Sequence, residues 1–169
     1  DRRIFSATAE VQVSVNFPNT LPAMGGNFGA LDRTPVGLRV VAQDGTAPSF
    51  MVDGAARVEE FPFLDDNQAG SAYHAFRARG GEAPDVLVIG VGGGMDVMTA
   101  LYHDANRVAA VEINSAMIDM VERHYDEYLD GLFREDGPYG DRVQLVKGEG
   151  RSFMRHRDDR YDIIQMSGV

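Results

Sequence analysis

The chain has 169 residues, enough for about one domain with a sizeable core, and its 44% hydrophobic and 25% charged residues exclude a collagen-like, low-complexity or wholly disordered chain. With 16 basic against 26 acidic residues the formal charge is -10, which disfavours a broad grip on nucleic-acid phosphates or an anionic bilayer. The absence of cysteine removes disulfides, thiolate metal sites and a cysteine nucleophile, and suits a reducing, cytoplasmic compartment.

Residues 1–80 are expected to form a β-rich region. Val11, Val13 and Val15 alternate, and the turn signals Phe17-Pro18-Asn19, Gly25-Gly26-Asn27, Asp44-Gly45 and Asp53-Gly54 punctuate short apolar runs at 37–41 and 50–52. That pattern predicts short antiparallel strands and hairpins. Asp65-Asp66 reads as a turn with no other metal ligand beside it. The four histidines (His74, His103, His124, His156) do not fall at metal-ligand spacing, so no metal is expected.

From Asp85 the pattern changes. An apolar strand at 86–89 runs into a glycine loop, followed by a helix at 96–103, a strand at 107–111, a helix at 115–128, a polar loop at 130–141, a strand at 143–146, a short helix at 151–157 and a strand at 161–166. Strands alternating with helices imply βαβ units and a parallel sheet, so the fold class is α/β and Rossmann-like, with residues 81–169 as its cofactor-binding half. In the helix at 115–128, Asn114 is a suitable N-cap, and Met117, Ile118, Val121, His124, Tyr125 and Tyr128 recur on one face, which assigns His124 to the core or its edge. Arg151, Arg155 and Arg157 read as a solvated face.

No apolar run approaches the roughly 20 residues of a membrane span. The chain opens on Asp1 and stops at Gly168-Val169, straight after an apolar run, and so reads as a piece of a longer protein whose parent could lie at the cytoplasmic face of a membrane. A sheet cut after its fourth strand leaves an apolar edge, for which self-association as a homo-oligomer is expected.

The chemistry concentrates in Val86-Leu87-Val88-Ile89-Gly90-Val91-Gly92-Gly93-Gly94-Met95-Asp96, an apolar strand entering a glycine loop that opens a helix. Glycines let the backbone turn sharply and approach a ligand, and free N–H groups at the helix start favour a negative group. The next strand ends in Glu112, at about the distance where an acid meets a ribose hydroxyl pair. A nucleotide-type cofactor is the leading expectation. The dinucleotide fingerprint wants a small residue where Met95 stands, which weakens an NAD-dependent oxidoreductase. If Glu112 serves ribose alone, Glu112→Ala is expected to weaken cofactor affinity and leave thermal stability nearly unchanged.

Four segments resemble the spermidine synthase-like branch of the class I S-adenosylmethionine-dependent methyltransferase superfamily: the strand and loop from Val86 to Gly94, Ala110-Val111-Glu112-Ile113-Asn114, the stretch from Val143 through Gly148-Glu149-Gly150 to Phe153, and Tyr161-Asp162-Ile163-Ile164. Val52-Asp53-Gly54 and Ala72-Tyr73-His74 resemble pieces of that family's N-terminal region. The resemblance implies a class I methyltransferase sheet, partial and truncated after its fourth strand, behind an N-terminal β-rich extension. It implies S-adenosylmethionine, or its decarboxylated form, as cofactor. Gly90, Gly92, Gly93 and Gly94 would hold the amino-acid end, Glu112 the ribose with Asn114 nearby, and Glu149 with Gly150 the adenine. Asp96, just past the loop, would either supply an acid there or complement the helix dipole. Polyamine synthesis would by the same resemblance need carboxylates at the positions of Gly93 and Ser167, and both are absent; Arg57 stands where the family tends to place glutamine. The expected function is therefore methyl transfer to a small-molecule acceptor. The alternatives are a polyamine aminopropyltransferase, an NAD-dependent oxidoreductase and a non-catalytic cofactor-binding domain.

Overall fold

The computed structural model describes residues 12–14, 37–43, 47–66 and 68–166. The turns expected at 17–19, 25–27 and 44–45, the ends Val11 and Val15 of the first predicted strand, and Ser167 lie outside the described residues.

Two sheets carry the strands. In the first, β1 (Gln12–Ser14), β2 (Leu38–Gln43) and β3 (Ala47–Val52) are antiparallel in the order β1-β2-β3, with Leu38 opposite Val52 and Gln43 opposite Ala47. The second is parallel and is built from β4 (Asp85–Ile89), β5 (Arg107–Glu112), β6 (Val143–Lys147) and β7 (Ile163–Gln165) in the order β6-β5-β4-β7. The α/β, Rossmann-like expectation therefore holds.

Between the two sheets the chain is helical rather than β-rich. Short 3₁₀ turns at Val58–Glu60 and Pro62–Leu64 lead to α1 (Gly70–Ala78). The sequence accounts for α1: residues 68–79 contain no β-branched residue and four alanines, a composition that favours helix. Tyr73 and Phe76 sit three apart and pack inward.

The parallel sheet has a side-chain period of two, so its faces are distinct. Val86 pairs across to Val108 on one side and Ile163 on the other, and Val108 pairs to Val143. This row joins the large core with α2 (Met95–Tyr102), α3 (Ser115–Asp119), Leu38, Val41, Met51 and Val52. Leu87, Ala109 and Val111 face the other way, onto Phe153 of α4 (Gly150–Arg155). Helices α2 and α3 thus cover one face and α4 the other, as right-handed crossovers require when the strand order reverses beside β4. Because α4 is short, Ile164 on its face stays 56% exposed.

The predicted helix 115–128 is only partly regular. It starts as foreseen, with Asn114 Oδ1 accepting from the N–H of Ala116 at 2.9 Å. After Asp119 it widens into a π turn at Met120–His124, closed by Tyr125 N–H donating to Met120 O. The wider turn shifts the helical phase, so Met117, Met120 and Val121 are buried while His124 is exposed, against the expectation that it joins the core. Among the described residues no helix is long and apolar enough to cross a membrane.

Candidate cofactor site

The C-terminal ends of β4, β5 and β6 lie side by side, and open parallel sheets bind ligands at that edge, where the strand order reverses. The expected residues gather there. Gly90, Gly92, Gly93 and Gly94 form the turn from β4 into α2, Glu112 ends β5, Asn114 caps α3, and the Gly148-Glu149-Gly150 turn follows β6. Gly148 N–H donates to Glu112 O at 2.9 Å, joining the ends of β5 and β6. Gly150 packs so closely on Ile89 that a Cβ would approach its Cγ2 to 2.6 Å.

Gly90, Gly92 and Gly94 have positive φ, and Gly93 is blocked by backbone. Gly94 caps α2 with φ +97°. At Gly93 a Cβ would stand 2.1 Å from the carbonyl oxygen of Phe50 in β3. Backbone rather than a flexible side chain blocks that position, so no side chain fits while β3 keeps its place.

The loop N–H groups have internal partners. Gly90 donates to Val111 O at 2.8 Å, Gly94 to Val91 O at 2.9 Å, and Gly93 to Ser49 Oγ at 2.8 Å. Val91 and Gly92 both donate to Glu112 Oε2, at 2.9 and 3.3 Å, while Glu112 Oε1 accepts from Asn114 N–H at 2.8 Å. Glu112 is 6% exposed. This corrects the expectation of a carboxylate whose bonds await a ligand: without one it already ties the glycine loop to the start of α3.

Glu149 is likewise engaged, as the N-cap of α4. Its Oε1 accepts from Arg151 N–H at 2.9 Å, and its Oε2 from the N–H and hydroxyl of Ser152, both at 2.8 Å. These bonds, the Arg151 N–H first among them, hold its carboxyl below the ordinary glutamate value. Asn114 is a helix cap, which accounts for it without a ribose. Asp96 is buried in the first turn of α2, and its charge adds to burial, the larger cause, in raising the pKa of the Tyr73 hydroxyl. Tyr73 donates to Gln165 Oε1 at 2.8 Å. Arg57 is on the surface, paired with Asp130 at 2.8 Å and Glu60 at 3.2 Å.

The sequence did not single out Ser49, which is brought to the loop by a hairpin far from it in the chain. Nor did it single out Ile113, which follows Glu112 and is 63% exposed. A large aliphatic residue left in solvent between Glu112 and the α3 cap was legible only once the strand end was fixed. Asp65 also needs correction: tertiary packing puts His74 Nε2 3.2 Å and His103 Nε2 3.8 Å from its Oδ1. Burial, then the Arg77 charge, pushes the His103 pKa down.

No protein-family model matches the chain. The chain is 35% identical over 80 residues to a polyamine aminopropyltransferase of Streptococcus uberis, covering 47% of this chain and 26% of the relative. It is 32% identical over 80 residues to polyamine aminopropyltransferase 2 of Hyperthermus butylicus, covering 47% of this chain and 25% of that protein. The matches thus span about a quarter of the length of these curated relatives. Among solved structures, a spermidine synthase in complex with the transition-state analogue AdoDATO superposes with a TM-score of 0.50 at 20% identity, over 79% of this chain and 43% of that one, a likeness of fold. In its fold and in its matching residues, the chain is similar to the spermidine synthase-like branch of the class I S-adenosylmethionine-dependent methyltransferase superfamily.

Proposed function

We propose that the chain is the cofactor-binding half of an S-adenosylmethionine-dependent transferase that transfers a methyl group to a small-molecule acceptor. The observation that carries this reading is the gathering of the glycine loop, Glu112 and the Gly148-Glu149-Gly150 turn at one sheet edge, beside the reversal of strand order.

The residues fit the adenosine part of such a cofactor. A carboxylate offers about four acceptor positions. Three backbone N–H groups occupy Glu112, which leaves acceptor capacity for a ribose hydroxyl. Ile113 offers an exposed apolar surface next to it for a flat base. For the amino-acid end, the Gly93 N–H becomes a donor to ligand when the Ser49 hydroxyl yields it. The bound cofactor would supply a carbon activated by its sulfonium. This chain's part is to orient that carbon and shelter it, which is how a binding half contributes to transfer.

Aminopropyl transfer is the second reading, and the names of the relatives favour it. Against it, the loop position at which the resemblance implies an acid is Gly93, where the Phe50 carbonyl leaves no room for a side chain. Calorimetry on the full chain tests the cofactor: S-adenosylhomocysteine is expected to bind with one site and NADH not to bind, and an absence of heat and of thermal shift with every adenosyl ligand on folded protein refutes it. Product analysis then separates the reactions, since methyl transfer leaves S-adenosylhomocysteine and aminopropyl transfer leaves methylthioadenosine. Binding without turnover of any acceptor would instead favour a non-catalytic domain.

A further inference from the structure

At the C-terminal end of α2, about 12 Å along its axis from the glycine loop, three potential ligands converge from three elements. Asp65 follows the 3₁₀ turn at Pro62–Leu64, His74 lies on α1, and His103 caps α2. Their ligand atoms all lie within 4.8 Å of one another. We propose that Asp65, His74 and His103 bind a divalent transition-metal ion of the zinc class, with water completing the coordination on the open His74 side.

The His103 ring points its Nε2 into this cluster. Its side chain is fully buried, and that nitrogen has no hydrogen-bond partner of good geometry: Asp65 Oδ1 at 3.8 Å is too far, and the nearby Leu64 backbone makes only a weak contact with the ring. The ring direction is set by stacking on Tyr73, 4.7 Å between centroids and 7° between planes, and by edge contacts with His74 and Tyr102. Buried polar atoms normally find partners, so a fixed imidazole nitrogen aimed at a carboxylate and a second imidazole calls for an explanation. A metal ion provides one. Nitrogen and oxygen ligands about 2.0 to 2.2 Å from zinc stand roughly 3.3 Å apart in a tetrahedron. The Asp65–His74 spacing of 3.2 Å already matches and His103 stands 3.8 Å from Asp65, while the two imidazoles, up to 4.8 Å apart, must close by about 1.5 Å and His74 Nε2 must leave the Asp65 backbone oxygen at 3.2 Å. Two imidazoles with one carboxylate form a donor set for zinc and its first-row neighbours rather than for calcium or magnesium. His74, half exposed, gives the ion a way in.

Arg77 opposes loading. Its Nη1 lies 3.4 Å from His103 Nδ1, the nitrogen that must carry the proton when Nε2 binds an ion. The guanidinium keeps two other acceptors, His103 O at 3.1 Å and the Asp104 carboxylate at 3.4 Å, when it leaves that nitrogen. Its charge also repels a cation. Arg77→Gln removes the charge and offers an amide oxygen to Nδ1–H. A bound ion would fasten the turn, α1 and α2 together at the end of α2 away from the cofactor site.

The test is titration of the untagged full chain with zinc chloride, with cobalt(II) as a spectroscopic probe. One ion per chain is expected, with a rise in melting temperature that a chelator reverses and cobalt absorption bands typical of low coordination number. Asp65→Asn and His74→Ala alter exposed or half-exposed side chains and should fold; each should weaken zinc binding about tenfold or more, and Arg77→Gln should strengthen it. No stoichiometric binding, or binding undiminished in both ligand variants, would overturn the proposal.

Discussion

Removing the Glu112 carboxylate should loosen the protein before any ligand is added. Glu112→Ala strips the partners from the N–H groups of Val91, Gly92 and Asn114, and Val91 is itself buried. A hydrogen bond to a charged group contributes about 1.5 to 3 kcal/mol. Taking the lower figure for the two bonds shorter than 3 Å, the variant loses about 3 kcal/mol, or roughly 6 to 12 °C in melting temperature for a chain of this size. Glu112→Gln keeps one acceptor oxygen and turns an NH₂ toward backbone donors, so it should fall between wild type and Ala. Thermal melts followed by circular dichroism without ligand give the first number. Calorimetric titration with S-adenosylhomocysteine, at a temperature where the variant is fully folded, gives the second, expected to be about ten- to a hundredfold weaker binding. If Glu112→Ala melts within a degree of wild type, the carboxylate does not hold the loop. If affinity is unchanged in folded variant, the ribose assignment fails.

Gly93→Ala places a methyl group against the Phe50 carbonyl and should destabilise by at least about 1 to 3 kcal/mol, the usual range for overpacking; a melting temperature equal to wild type would show that β3 moves freely from the loop. Because the folded Glu149 carboxyl is held below its ordinary value of 4.5, its contribution is present above that pH and lost as the pH falls through the folded value. Wild type should therefore lose more stability than Glu149→Gln between neutral pH and pH about 3, and parallel melting curves across that range would refute the cap. Ile164 in β7, an edge strand among the described residues, and Met166 just after it are 56% and 60% exposed and should make the chain associate in a concentration-dependent way. Sedimentation as a monomer at all concentrations would contradict this.

What the sequence made legible was whatever depends on local pattern. The apolar run before Gly90, the acid closing the next strand and the Asn114 cap were readable because strand, turn and helix starts use few residue types. The four parallel strands follow from their alternation with helices. The helix Gly70–Ala78 was missed although its alanines were in view, because turn signals on either side suggested hairpins. The π turn at Met120–His124 was illegible, since periodicity assumes one pitch throughout. Long-range pairings were also out of reach. Nothing near Gly93 reveals Ser49, and nothing near Asp65 reveals His103, because both meetings are made by the packing of distant elements.

Ser49 bears most directly on how the site works. The glycine loop is usually regarded as a set of N–H groups waiting for an anion, yet here each has an internal acceptor, and the Gly93 N–H is held by a hydroxyl from the N-terminal hairpin. The same hairpin presses the Phe50 carbonyl against the α-carbon of Gly93. The loop and β3 therefore act as one unit: a ligand group that takes the Gly93 N–H must displace Ser49, and a ligand group that needs an acid at Gly93 must displace the strand. Hydroxyl rotation is an easy motion, whereas moving β3 disturbs Met51 and Val52, both fully buried in the core. That difference favours a cofactor entering by exchange at Ser49, and it leaves recognition of an amine acceptor to residues other than the loop. Ser49→Ala separates the two effects, because it frees the Gly93 N–H without altering the steric block, and it should tighten binding of a cofactor that carries a carboxylate more than one that lacks it. Equal changes for S-adenosylmethionine and its decarboxylated form would show that the loop N–H does not meet the amino-acid end.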